Sequence, residues 1–259
     1  MGIINVTPDS FSGDGLLQKS VVVEAAVAQA GTFIEEGADI IDIGGESTRP
    51  GAKSVSSEEE INRVVPVIEA IRQTFPKVCI SIDTSKANVA RAAMDAGAQW
   101  VNDVWGLKAD PGMASLVAAT GAPVILMHNR TKPGSAALEA RLGGRYVSIE
   151  YENLIDDIRR ELTESVSIAL ESNVRASQII LDPGIGFGKT VAQNFEVIDR
   201  LQEIKSLGYP ILVGPSRKSF LGYTLDLPPS ERVEGTAAAV ALSIARGADI
   251  VRVHDVGVM

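Results

Sequence analysis

The sequence is poor in cysteine and histidine, with one Cys and two His among 259 residues. A lone thiol, Cys79, excludes an intrachain disulfide framework. In the apolar run Val78-Cys79-Ile80 it reads as a small buried hydrophobe, and the cytoplasm is the natural compartment. Two histidines and one cysteine make no convincing zinc site. No apolar run approaches the roughly 20 residues of a membrane-spanning helix. No secretory signal precedes the first strand, so the sequon Asn5-Val6-Thr7 carries no glycan meaning. Cations are the minority charge: 24 Lys and Arg face 33 Asp and Glu, a net charge of −9. Binding to nucleic acid or to an anionic membrane needs clustered cations, so both are excluded as partners.

What is present is a rhythm. Short β-branched runs alternate with longer helical patterns, the signature of βα units and a parallel sheet. Eight strands are expected at Gly2–Val6, Ile40–Gly44, Cys79–Asp83, Trp100–Val104, Val124–His128, Ile179–Asp182, Ile211–Gly214 and Ile250–His254. Helices are expected at Val21–Glu36, Glu58–Arg72, Ala87–Asp95, Tyr151–Leu170, Ala192–Ser206 and Arg232–Ala245. Four of them run into glycine (Gly37, Gly97, Gly208, Gly247), which accepts the left-handed conformation that closes a helix. Eight right-handed βα repeats close a ring of parallel strands, the TIM (β/α)₈ barrel, here one domain over residues 1–259. A doubly wound open sheet is the alternative. Two irregularities stand out. Thr131 to about Ile149 reads as a flexible loop over the barrel mouth. The barrel is expected to lack its final helix and N-terminal extension, as in an excised or partial domain.

Barrel chemistry sits at the strand C-termini, and here nearly every apolar run ends in a polar residue. These are Asn5, Glu46-Ser47-Thr48-Arg49, Asp83, Asn102-Asp103, His128, Asp182, Ser216-Arg217-Lys218 and Arg252, His254 and Asp255. One such end is an ordinary helix cap; eight look like a ligand site. Arg252 and His254, two apart on one strand, project to the same face. With Arg49 and Asn5 they form a plausible phosphate site. Asp83, Asn102 and Asp182 lie deeper and suit a flat heterocycle rich in N–H donors and ring nitrogens. Met127 and Phe187 either pack on the ring faces or belong to the barrel core. Lys218 either reaches into the mouth or is an exposed lysine.

Two motifs mislead. Gly184-Ile185-Gly186-Phe187-Gly188-Lys189-Thr190 suggests a P-loop, but Pro183 occupies the required glycine position. It reads instead as a tight strand-to-helix loop with backbone close to a ligand. Ser216, His254 and Asp182 could be written as a triad, but no nucleophile elbow supports one.

Together the motifs resemble the dihydropteroate synthase family. They are Ile4-Asn5-Val6-Thr7-Pro8-Asp9-Ser10-Phe11-Ser12, Asp42-Ile43-Gly44-Gly45-Glu46-Ser47-Thr48-Arg49-Pro50-Gly51, Ser81-Ile82-Asp83-Thr84, Val101-Asn102-Asp103, Leu126-Met127-His128, Asp182-Pro183-Gly184 through Lys189, Ser216-Arg217-Lys218-Ser219 and Arg252-Val253-His254-Asp255. The resemblance runs in order along the whole chain. It implies a pterin pocket of Asp83, Asn102, Asp182 and Lys218, lined by Met127, Phe187 and Gly214. It implies that Asn5 binds Mg²⁺ carried by the substrate's pyrophosphate, and that Thr48, Arg49, Arg252 and His254 hold that pyrophosphate. Phe11, Thr48, Pro50 and Ser219 would frame a p-aminobenzoate site where sulfonamides compete. Loops Thr7–Gly15 and Ser47–Ala52 would close over the mouth. A homodimer is implied by family analogy.

The implied reaction joins p-aminobenzoate to a pterin diphosphate and expels pyrophosphate. Asp83 and Asp182 would favour a cationic pterin, while Arg252 and His254 stabilise the departing diphosphate with Mg²⁺. With Lys218 these are the expected catalytic residues, and no protein nucleophile is needed. Removing Arg252 is expected to abolish turnover and spare free-pterin binding. One rival is a corrinoid-linked methyltransferase on a similar barrel, which has no need of the Ser-Thr-Arg-Pro-Gly loop. Another is a non-catalytic pterin-binding paralogue, which should have lost at least one key residue; none is lost.

Overall fold

The computed structural model describes residues 1–7, 19–47, 52, 54–132, 136–147 and 149–259. Eight parallel strands close on themselves: β1 (Gly2–Asn5), β2 (Ile40–Gly44), β3 (Cys79–Asp83), β4 (Trp100–Asp103), β5 (Val124–Met127), β8 (Ile179–Asp182), β9 (Leu212–Val213) and β10 (Ile250–Val251). The first six pair in the order β1-β2-β3-β4-β5-β8, and β9 pairs β10. Single bridges complete the ring, Leu181 to Ile211 and Gly2 to Val253. The fold is a TIM barrel, not an open sheet. The eight expected strands are all present, up to three residues shorter than the apolar runs suggest.

The period-two alternation of each strand separates two cores. Ile41, Ile43, Ile80, Ile82, Val101, Leu126, Leu181 and Val213 point outward and join the main core under the helices. Ile40, Ile125, Ile180 and Leu212 point inward and, with Met1, plug the barrel floor, packed against Cys79, Trp100 and Ile250. Cys79 is half-buried, and burial raises its thiol pKa, so it is no thiolate. The next inward layer holds Asp42, Ser81, Asn102, Met127, Asp182 and Arg252. The interior therefore turns from apolar to polar within one strand step.

Helices α1 (Lys19–Glu35), α2 (Ser57–Thr74), α3 (Ala87–Asp95), α5 (Leu154–Glu171) and α9 (Val233–Ala245) lie where the periodicity places them. Ser56 caps α2 through a hydrogen bond from Glu59 N (3.1 Å). Gly37, Gly97, Gly208 and Gly247 all take positive φ at the expected helix ends. The stretch expected as one helix over Ala192–Ser206 is two, α6 (Val191–Asp199) and α7 (Leu201–Lys205), parted at Arg200.

Two helices escaped the pattern. In α4 (Pro111–Thr120) small and apolar residues leave little contrast between faces. Its signal lies at the ends instead: Asp110 caps it from Gly112 N (2.8 Å), Pro111 opens it and Gly121 closes it at φ 71°. Asp110 also accepts from Ala87 N (2.8 Å), so one carboxylate caps two helices. The other, α8 (Ser219–Leu225), is too short to show a period.

The segment read as a flexible mouth loop contains an antiparallel hairpin, β6 (Ala136–Glu139) with β7 (Gly143–Tyr146). It is tied to α8 and the start of α9: Tyr223 OH donates to Gly143 O (3.0 Å), and Arg141 Nη1 to Asp226 O (2.8 Å). The central fastener is Arg232, 1% exposed. Its guanidinium donates to Leu227 O (2.9 Å), Arg217 O (2.9 Å) and Leu142 O (3.0 Å), joining three loops. Arg232→Met leaves those carbonyls without the cation, and the stability loss is expected on the order of 3 kcal/mol. Urea unfolding measures it; a loss under about 1 kcal/mol would show that the fastener carries little of the fold.

Candidate active site

Strand ends bring ten residues around one hollow at the C-terminal face: Asp83, Asn102, Val104, Met127, Asp182, Ile185, Phe187, Gly214, Lys218 and Arg252. Every residue expected to form a pterin pocket is among them. Phe187 and Met127 face the hollow, which decides against an interior core role. Lys218 is no exposed surface lysine: it is the N-cap residue of α8, and its ammonium sits 4.1 Å from the centroid of the Phe187 ring. Val104 and Ile185 were not anticipated, because apolar residues at strand ends carry no chemical signal in a sequence.

Arg252 is the main rearrangement of the expected picture. It sits inside this hollow, not apart from it. Its Nε donates to Asp42 Oδ2 (2.6 Å) and its Nη2 to Asp83 Oδ2 (2.7 Å). Asp42 Oδ2 also accepts from Asn102 Nδ2 (3.2 Å). Asp42 is fully buried and was given no role from sequence. The signal was available: Asp42 lies two residues before Gly44 on the inward register of β2, one step below the strand end. These acids raise the Arg252 pKa despite its burial, so it stays charged.

The carboxylates are poised. Burial pushes Asp182 up to about 6, opposed by the Gly184 N–H donating to its Oδ1 (2.7 Å) and by Lys218 and Lys189. Burial likewise raises Asp83, to about 7, against the pull of Arg252. His254 is lowered to about 3 by burial, then by Arg252, Arg217 and Lys218. At neutral pH it is therefore an uncharged imidazole, a hydrogen-bonding group rather than a second cation. Ser216 Oγ accepts from the His254 backbone N–H (3.1 Å) and lies 3.0 Å from its Nδ1.

Other polar strand ends go elsewhere. Asp103 alternates outward from Asn102 and accepts from Trp105 N (2.9 Å) and Leu107 N (2.8 Å), shaping the turn that follows. Asp255 pairs with Arg217. Glu46 and the buried Glu60 both bind Lys86 Nζ at 2.6 Å. His128 lies behind the hollow against Lys189. Asn5 ends β1 opposite Gly44 and, like His254, does not line the hollow. Ser219 is the first residue of α8. Phe11, Thr48, Arg49 and Pro50 lie outside the described residues.

A parallel barrel whose mouth gathers acids, an amide, two cations and the Phe187 ring round one hollow fits a class of enzyme that holds pterins. The family model described as pterin binding enzyme matches residues 1–254. The chain is 50% identical over 257 residues to the dihydropteroate synthase of Clostridium beijerinckii, covering 99% of this chain and 88% of that protein. Among solved structures it resembles that of the Clostridium difficile dihydropteroate synthase in the presence of pteroic acid. The TM-score is 0.89 at 45% identity, covering 99% of this chain and 90% of that one. It also resembles the Xanthomonas albilineans dihydropteroate synthase with 4-aminobenzoic acid. There the TM-score is 0.88 at 42% identity, covering 99% and 87%. The chain belongs to the dihydropteroate synthase family.

Asp42 should be coupled to Arg252. Removing one partner of a buried ion pair leaves the other charge uncompensated, a cost of about 3 kcal/mol or more. Asp42→Ala is expected to lower unfolding free energy by that amount alone, and by much less in an Arg252→Met background. Urea unfolding of the four proteins checks this, and equal costs in both backgrounds would show no coupling.

Proposed function

We propose that this hollow carries out the dihydropteroate synthase reaction, a transferase step. 6-Hydroxymethyl-7,8-dihydropterin diphosphate and p-aminobenzoate give 7,8-dihydropteroate and pyrophosphate. The observation that carries the reading is the meeting of Asp83, Asn102, Asp182, Lys218 and Arg252 round one hollow.

The pterin edge suits these partners. Asp182 spends one oxygen on Gly184 N–H and has a second to accept from a ring N–H. Asn102 spends one amide N–H on Asp42, which leaves its other N–H and its carbonyl oxygen for the ligand. Lys218 donates to the ring carbonyl and nitrogens while resting on Phe187. The reaction breaks the bond between the pterin methylene and a diphosphate oxygen and forms one to the arylamine nitrogen, which then loses a proton. Positive charge grows on the pterin, beside Asp83 and Asp182. Negative charge grows on the leaving group, beside Arg252.

Arg252 commits Nε and Nη2 to carboxylates and keeps Nη1 for the diphosphate. His254 contributes a dipole. In the tautomer where the Ser216 hydroxyl donates to Nδ1, Nε2 carries the ring proton and is the donor to a phosphate oxygen. Asn5 offers a single amide oxygen, and no group of three His, Cys, Asp or Glu that could hold a metal occurs among the described residues. That donor set fits Mg²⁺ arriving with the diphosphate, bound mostly by substrate oxygens and water. When bound, Mg²⁺ supplies Lewis-acid stabilisation of the leaving group. The family resemblance assigns Phe11, Thr48, Pro50 and Ser219 to the arylamine and Arg49 to the diphosphate, and sulfonamides would compete with the arylamine. A cytoplasmic location fits the single cysteine, and a homodimer follows the family analogy.

Purified protein with pterin diphosphate, p-aminobenzoate and Mg²⁺ should release pyrophosphate, and no release with both substrates present would sink the reading. Arg252→Met should slow turnover roughly a hundredfold, from loss of about 3 kcal/mol of transition-state stabilisation. Since Arg252 also holds Asp83, this substitution should weaken free-pterin binding as well, contrary to the simpler expectation that binding is spared. Calorimetry separates the two effects. Asp182 is neutral below about 6 and ionised above it, so pterin affinity should rise as pH is raised from 5 to 7. In Asp182→Asn affinity should be weaker and the rise near pH 6 reduced to the part that Asp83 contributes near 7; an unchanged profile would remove Asp182 from the pterin edge.

A further inference from the structure

Behind the hollow lies a buried polar cluster that the reaction does not use. Lys189, 2% exposed, follows the turn Gly184–Gly188 that leads from β8 to α6. Its ammonium donates to Gly184 O (2.9 Å) and Phe187 O (3.0 Å) and lies 3.0 Å from His128 Nδ1. Burial pulls the Lys189 pKa down to about 7, against the pull of Asp182 and Glu161; in its ammonium form it has three hydrogens and accepts none, so these three acceptors fill it. His128 Nδ1 is then unprotonated and Nε2 bears the ring hydrogen, 3.0 Å from Glu161 Oε2. Arg130 grips Glu161 through Nε (2.7 Å) and Nη2, and its guanidinium stacks 4.3 Å from the Tyr151 ring centroid. Tyr151 OH in turn donates to Gly188 O (2.9 Å). Asn194 Oδ1 accepts from Gly186 N (2.6 Å).

Four bonds of this cluster end on the backbone of one turn. Carbonyls 184, 187 and 188 and the amide of 186 are each held by a side chain. The turn presents Ile185 and Phe187 to the hollow. Gly186 packs so closely on Lys218 that a Cβ there would stand 2.7 Å from its Cδ. The Lys218 ammonium rests on the Phe187 ring. Burying a lysine and a histidine beside a half-buried glutamate for stability alone gains little, since apolar packing does as well. The arrangement is explained by what it specifies, the position of this turn.

We propose that Lys189, oriented by His128 and Glu161, is a positioning residue for pterin recognition, setting the Gly184–Gly188 turn and through it the places of Phe187 and Lys218. The proposal rests on reading the hollow as the pterin site.

Steady-state kinetics on the full chain tests it. Lys189→Met should raise KM for the pterin diphosphate about tenfold, while KM for p-aminobenzoate and kcat move less than about threefold. His128→Leu, which removes the acceptor that orients Lys189, should show the same selective defect. His128→Asn, whose Oδ1 stands near the place of Nδ1, should recover most of it. Thermal melts followed by circular dichroism establish which variants fold. If Lys189→Met does not, the His128 pair decides. An unchanged pterin KM in folded Lys189→Met, equal pterin KM for the Leu and Asn variants, or equal rises for both substrates would overturn the proposal. Failure of the unsubstituted protein to release pyrophosphate would instead sink the functional reading beneath it.

Discussion

One buried cation holds the polar half of the barrel together. Arg252 stands between Asp42 and Asp83, and Asn102 leans on the same Asp42 oxygen. Four strands thereby meet through side chains at the level where the interior stops being apolar. Without a cation there, two carboxylates would face each other uncompensated, and the hollow would lose the charge balance it needs to face a pterin. The same guanidinium lies beside the place where diphosphate charge would grow. Structural neutralisation and proposed transition-state stabilisation are in this sense one interaction.

The site is assembled in two shells with different materials. The inner one is made by strand ends, whose alternation aims Asp83, Asn102, Met127, Asp182 and Arg252 inward. The outer one is made by loops, and among the described residues several of them are fixed by part-buried side-chain hydrogen bonds. Lys189 and Tyr151 hold the turn after β8, Arg232 holds the segments around α8, and Lys86 joins Glu46 to Glu60 beside the segment after β2. Loops at a barrel mouth lack ladder partners, so side chains must satisfy their carbonyls. Buried cations are suited to this, since each offers several donors at once.

The strand positions, the helix-closing glycines and the pterin-edge residues were legible along the chain. Each depends on a local period or on a residue type at a strand end. The hairpin Ala136–Glu139 with Gly143–Tyr146 was not, because its strands are short, half exposed and stabilised by Tyr223 and Arg232, some 80 and 90 residues away. Helix α4 was hidden by a uniformly small and apolar sequence, although its caps were in view. His128 and Asp103 were read as mouth residues because polarity at a strand end does not reveal its side; in the fold one turns to Lys189 and the other outward.

By itself the sequence determined that eight runs would bury both faces, that their alternation would send one set of residues inward, and which chemical groups would stand at the strand ends. Those are short-range facts, set by backbone geometry and residue type. Only the tertiary structure decided the partners. Asp42 and Arg252 are 210 residues apart, and nothing local tells an arginine destined for a phosphate from one that also neutralises two acids. Protonation followed the same rule: burial and neighbouring charge, not residue identity, leave His254 neutral and Asp182 near its titration point.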